Sequence, residues 1–245
     1  ADTLGAKIDG ISTGSYTDMS ITSFYGSHII NCAGNGGALT LNDDDVINKA
    51  KLLRSWGRSS SLFDENSESI ENRFNIDLNG IDYDAKFVFE EVGYNLEGNE
   101  LGASFGLVQL KSLEKNIKTR QENFEIQKNF FNRYSEYFSV PEMNPKHYTC
   151  WLAFPVLISK KAPFNRKEFQ IFLEKRNIQT RTVWAGNILR QPMCKKSIVK
   201  TNNVGYPNAD AIMERGVLLP VHHGMTKSMY ERLHTTIEEF INTKI

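Results

Sequence analysis

The chain is 245 residues long and carries 29 Lys and Arg against 29 Asp and Glu, so its formal net charge is zero. That balance argues against a nucleic-acid or anionic-membrane protein, which shows a basic excess or a basic block, and no apolar run approaches the roughly 20 residues of a membrane helix. Cys32, Cys150 and Cys194 are odd in number and far apart, outlining neither a disulfide framework nor a CxxC metal pair, and the composition is that of a soluble protein expected in the cytoplasm.

Ala1 is not an initiator methionine, and Ala1-Asp2-Thr3-Leu4-Gly5-Ala6 reads as a strand end entering a turn, so the sequence is expected to be the C-terminal portion of something longer. Met19–Tyr25 and Ala38–Leu41 read as strands joined through Ala33-Gly34-Asn35-Gly36-Gly37. Asn42 with Asp45 resembles a capping box ahead of a helix carrying Val46, Ala50, Leu53 and Trp56, and Gly57 stops it. Residues 58–85 read as a polar excursion and Lys86–Val92 as a short strand. Asn99 caps a long helical segment running to Phe138, broken once near Leu113. Beyond Pro141 and Pro145, Thr149–Ile158 reads as a strand that Pro155 places on an edge. Asn165 with Glu168 caps a helix stapled by Phe164 and Phe169, and Ile178–Trp184 and Val217–His222 are further strands. Ser228 with Glu231 caps a last helix through Met229, Leu233, Ile237 and Ile241, so the tail is a compact α+β unit of about a hundred residues.

Few residues offer chemistry on their own. His28 follows Ser23-Phe24-Tyr25-Gly26-Ser27, a strand running into a small-residue turn that can present a side chain to a cleft. The residues alone leave it open whether His28 is catalytic or a satisfied, partly buried imidazole. No His or carboxylate two or four residues on makes a local metal site. His222 and His223 are strand neighbours pointing to opposite faces, and His147 and His234 lack context. Arg181, Asn187 and Arg190 flank a Gly-Asn turn and suit a phosphate or carboxylate, or simply solvent, as does Arg58 in Trp56-Gly57-Arg58.

Together these pieces resemble the DegT/DnrJ/EryC1/StrS sugar aminotransferase family. The anchors are Asp2-Thr3-Leu4-Gly5-Ala6, Ser23-Phe24-Tyr25-Gly26-Ser27-His28, Gly34-Asn35-Gly36-Gly37-Ala38, Gly93-Tyr94-Asn95, Gln109-Leu110 and Gly186-Asn187. The resemblance implies an α/β type I, aspartate aminotransferase-like fold that binds pyridoxal phosphate. Residues 1–112 would belong to the large cofactor domain, 113–145 to a connecting helical segment and 146–245 to a small α+β domain.

At the fifth position after the Ser of Ser-Phe the family carries the lysine that forms the cofactor Schiff base, and here that position is His28. This substitution implies the subgroup of nucleotide-linked 4-keto-6-deoxyhexose 3-dehydratases, which use pyridoxamine phosphate without a covalent link and His28 as catalytic base. By the same resemblance Ser23 binds the cofactor phosphate, Asp2 lies near its phenolic oxygen, and Asn95 reaches a phosphate across a homodimer interface. The remaining cofactor contacts would lie upstream of Ala1. Trp56-Gly57-Arg58 and Gly186–Pro192 look most like the CDP-sugar 3-dehydratases of lipopolysaccharide pathways, whose [2Fe–2S] cysteines follow the Trp-Gly-Arg segment. Here Ser59-Ser60-Ser61-Leu62 stands there, so no iron–sulfur cluster is expected. The remaining precedent acts on a GDP sugar with glutamate as amino donor. Arg181, Asn187 and Arg190 are then the substrate-side candidates. The alternatives are an aminotransferase using Lys7 or Lys49, and a catalytically dead scaffold.

Overall fold

The computed structural model describes residues 4–63, 70–202 and 204–245, so Asp2 and most of the acidic stretch at 64–71 lie outside the described residues. Residues 12–111 form one compact unit, and residues 4–11 with 112–245 form a second.

The first unit contains an antiparallel hairpin of β1 (Met19–Ser23) and β2 (Gly37–Leu41), in register from Met19 opposite Leu41 to Ser23 opposite Gly37. Helix α1 (Asp44–Arg54) follows. Its cap is Asp43, whose carboxylate accepts from the Val46 N–H at 3.0 Å, and not Asn42. Asp44 and Asp45 then occupy the first turn, where the positive helix end favours carboxylates. Leu52 faces inward while Val46 is 40% exposed, and Trp56 lies beyond the helix in a left-handed turn.

The stretch read as an excursion holds short elements, among them a two-residue pair of Ile76–Asp77 with Asp82–Tyr83. Lys86–Val92 is not a strand. Asp84 caps a helical turn at Ala85–Phe87 and is gripped by Arg73, leaving a single bridge from Phe89 to Arg58. Asn99 caps α2 (Glu100–Leu110) through the Gly102 N–H, and the long helical segment breaks at Lys111 and Ser112 before α3 (Leu113–Asn132).

The second unit is built on a four-stranded antiparallel sheet. Its strands are β3 (Phe138–Ser139), β4 (Phe154–Ile158), β5 (Arg181–Thr182) and β6 (Gly216–Leu219), in the order β5-β6-β4-β3. Pro155 therefore sits in an inner strand, against the edge expectation. β3 pairs only as far as Leu157, so the ladder on that side never reaches the missing proline N–H.

Phe154, Val156 and Ile158 alternate inward from β4, and Val217 and Leu219 from β6. They meet Phe124 and Phe131 of α3, Phe169 and Leu173 of α4 (Arg166–Glu174), and Leu233, Ile237 and Phe240 of the last helix. Asn165 and Glu168 form the expected reciprocal cap on α4, with Phe164 and Phe169 rings 6.3 Å apart. A helix that the periodicity did not announce, α5 (Pro207–Arg215), opens with proline at its first position. The last helix, α6 (Lys227–Asn242), is capped by Thr226 rather than Ser228. Among the described residues no helix is long and apolar enough to cross a membrane.

His234 acquires a structural role here. Its ring stacks on Phe130 with centroids 3.9 Å apart, and Nε2 lies 2.9 Å from Gln127 Oε1. Burial, aided by Arg133, pushes its pKa down from 6.5 to about 4. A depressed histidine contributes stability that is complete above the unfolded value and is lost as pH falls through the folded one. The urea midpoint is therefore expected to drop between pH 6.5 and about 4, and a His234→Gln variant should show a flatter profile over that window.

Candidate active site

Between Ser23 and Gly37 the chain makes a closed excursion. Phe24 N–H donates to Gly36 O at 2.9 Å, Cys32 N–H to Phe24 O at 3.0 Å, and His28 N–H to Tyr25 O at 3.0 Å. The residues after His28 anchor it, because Ile29 and Ile30 are buried. Asn31 N–H donates to Gln109 Oε1 of α2 at 3.1 Å. α2 approaches this closely because it presents glycine, since a Cβ on Gly106 would stand 2.6 Å from Cys32 Sγ.

His28 thus rides on a turn fixed at both ends. Its imidazole is partly buried, which lowers its pKa below the ordinary 6.5 and keeps it neutral at neutral pH. The Tyr25 ring lies edge-on, with centroids 6.1 Å apart. Ser23 Oγ accepts from Tyr25 N–H at 3.2 Å, which leaves the hydroxyl proton for a second acceptor.

Asn95 is exposed on a segment laid across the end of α1. Trp56 N–H donates to Tyr94 O, Tyr94 N–H to Leu53 O and Leu96 N–H to Arg54 O, at 2.7, 2.7 and 2.9 Å. In the Trp56-Gly57-Arg58 motif the guanidinium stacks over the Trp56 ring, 4.7 Å from its centroid. Lys49, on α1, forms an ion pair with Glu91, and Lys7 pairs with Tyr148 at a strand in the second unit.

In the second unit Asn187 and Arg190 converge on one carboxylate. Asn187 Nδ2 donates to Asp210 Oδ1 at 2.7 Å, and Arg190 reaches both oxygens at 2.5 and 2.7 Å. Arg190 first, then Asn187, hold the Asp210 pKa down to about 2. Arg181 is not part of this cluster. It is exposed on β5 opposite Leu218, with Nη1 3.3 Å from Thr180 O. Sequence reasoning missed Asp210 because its helix was unrecognised, and the Tyr206-Pro207 start was the available signal. Asp2 lies outside the described residues.

The described residues contain no group of three or more His, Cys, Asp or Glu side chains able to hold a metal ion, and Cys32, Cys150 and Cys194 are free thiols. His222 and His223 have separate partners. Gly224 N–H donates to His222 Nδ1 at 3.2 Å, and the buried Arg120 donates to His223 Nδ1 at 3.3 Å.

Residues 1–238 match the model of the DegT/DnrJ/EryC1/StrS aminotransferase family. The chain is 30% identical over 242 residues to the lipopolysaccharide biosynthesis protein RfbH of Salmonella typhimurium, covering 98% of this chain and 55% of that protein. It is 29% identical to the dTDP-4-dehydro-2,6-dideoxy-D-glucose 3-dehydratase of Saccharopolyspora spinosa, covering 98% and 52%. The solved E coli GDP-4-keto-6-deoxy-D-mannose-3-dehydratase with bound hydrated PLP superposes with a TM-score of 0.78 at 21% identity, covering 97% of this chain and 58% of that one. The fold is therefore that of type I PLP-dependent enzymes. The chain spans about half the length of the curated relatives it matches.

Proposed function

Because the chain belongs to the DegT/DnrJ/EryC1/StrS aminotransferase family, we propose that it supplies about half of a pyridoxamine-phosphate-dependent 3-dehydratase acting on a nucleotide-linked 4-keto-6-deoxyhexose. The observation that carries this reading is the anchored turn after Ser23, which presents an imidazole and contains no lysine. A lysine amine would condense with the cofactor aldehyde and favour amine transfer. An imidazole makes no such link but moves protons near neutral pH.

The residues of the turn fit a phosphorylated pyridine group. The Ser23 hydroxyl has a proton to donate to a phosphate oxygen while its lone pair holds Tyr25 N–H. When bound, the cofactor supplies an amine for the sugar ketone and an aromatic ring that accepts electrons. His28, neutral through burial, takes up a proton on a ring nitrogen and returns one as the C3 hydroxyl departs. Asn95 reaches a phosphate in a second copy of the chain, which makes the working form a homodimer. Arg181 receives the carboxylate of glutamate or the substrate diphosphate. Asn187 and Arg190, held by Asp210, shape the adjoining loop on the substrate side.

The test is to incubate the intact protein with glutamate and CDP- or GDP-4-keto-6-deoxyhexose. The expected sugar product is lighter by one oxygen atom, with one 2-oxoglutarate and one ammonia released per turnover. An amino sugar with no free ammonia would replace this reading by an aminotransferase. Inertness toward both substrates would leave the scaffold reading.

A further inference from the structure

All three tryptophans of the chain adopt positive φ, at 59° for Trp56, 41° for Trp151 and 43° for Trp184. A bulky side chain in that region is strained and persists only where its surroundings hold it. For two of the three, the ring has a partner within the chain. Trp151 stacks on Phe124 with centroids 3.9 Å apart and planes 4° from parallel, and Trp56 carries the Arg58 guanidinium.

Trp184 differs. Its side chain is 70% exposed, and no ring or cation stacks on it among the described residues. Its backbone is nevertheless tightly framed. Thr182 Oγ1 donates to Trp184 O at 3.0 Å, Gly186 N–H to Val183 O at 3.0 Å and Gln191 Nε2 to Ala185 O at 3.2 Å. Asn187 and Arg190 pin the same loop to Asp210. The loop is thus built to hold out a large flat ring that the chain itself does not cover.

The stretch of sequence that carries this ring is one-sided in charge between Glu174 and Asp210. Residues 175–209 contain seven Lys and Arg and no Asp or Glu, in a chain whose total charge is zero. Arg176 and Arg190 are neutralised by Glu239 and Asp210. Arg181, Lys195, Lys196 and Lys200 are exposed and make no ion pair among the described residues. An uncovered π-face carried in a cation-rich stretch of the chain suits a ligand that is both aromatic and multiply anionic.

We infer that Trp184 is the stacking platform for the nucleobase of a nucleoside-diphosphate ligand, whose phosphates lie toward the cations of residues 181–200. This assignment rests on the nucleotide-sugar reading above and adds the residue that grips the base. Base stacking tolerates either a purine or a pyrimidine.

The experiment titrates CDP, GDP and inorganic pyrophosphate into the intact wild-type protein and its Trp184→Ala and Trp184→Phe variants, by calorimetry and tryptophan fluorescence. In the wild type CDP or GDP should quench fluorescence. Trp184→Ala should weaken nucleoside diphosphate binding by about 10- to 100-fold, with Phe restoring part of it. Pyrophosphate affinity and the melting temperature should be unchanged. Equal CDP and GDP affinities in wild type and Trp184→Ala would overturn the assignment while leaving the nucleotide-sugar reading intact. A change in sedimentation in Trp184→Ala would overturn it in favour of a ring that packs against another subunit. Absence of nucleotide binding by the wild type would overturn both.

Discussion

Replacing His28 with asparagine in the intact protein is expected to lower the rate of sugar dehydration by roughly 10²- to 10⁴-fold, the range a positioned proton carrier contributes. Asparagine keeps the polarity and approximate size of the ring but cannot titrate. The turn should survive the change, because it is held by backbone bonds at Phe24, Tyr25 and Cys32 and by the buried Ile29 and Ile30. Cofactor affinity should therefore change little while kcat falls. The pH profile gives a second readout. Burial holds the His28 pKa below 6.5, so the wild-type rate should rise with pH through a point below that value, and the variant should lose this limb. His28→Lys should do the reverse chemistry, fixing the cofactor to the protein so that borohydride adds one pyridoxyl group to its mass. A near wild-type rate in the asparagine variant would remove His28 from the mechanism.

Gly57→Ala is expected to destabilise the first unit by about 3 kcal/mol or more, combining left-handed strain with overpacking. Gly57 has φ +81°, and a Cβ there would stand 1.8 Å from Glu91 O and 2.6 Å from Glu91 C. Those are backbone atoms, so relief requires moving the segment that continues into Asn95. Gly80 is the internal control. Its φ is +87°, but a Cβ there would meet nothing within 4 Å. Gly80→Ala should cost only the conformational part, about 1 kcal/mol. Urea midpoints of the two variants separate the contributions, and equal losses would show that the crossing at Glu91 is not crowded.

Much of the fold was legible wherever the signal is local. The reciprocal cap of Asn165 and Glu168, the hairpin ending at Ser23, and the interruption before Leu113 all depend on residues within a few positions of one another. Misreadings arose where a distant partner decides. Pro155 reads as an edge residue until the short reach of β3 is known. Lys86–Val92 reads as a strand until Arg73 and the Asp84 cap bend it. In the site, His28 stands out locally, since the turn that presents it is written in consecutive residues. The use of Asn187 and Arg190 was hidden, because Asp210 comes 20 residues after Arg190 in a nine-residue helix that buries no side chain fully.

The tether of the His28 turn has a consequence for how the protein is made. Gln109 lies 78 residues downstream of the Asn31 N–H it holds. On the ribosome the hairpin and α1 can form early from neighbouring residues, whereas the turn waits until α2 has been synthesised and released from the exit tunnel. Nascent chains that end before residue 109 therefore carry His28 in an unfinished turn, and its imidazole takes its place late in biogenesis.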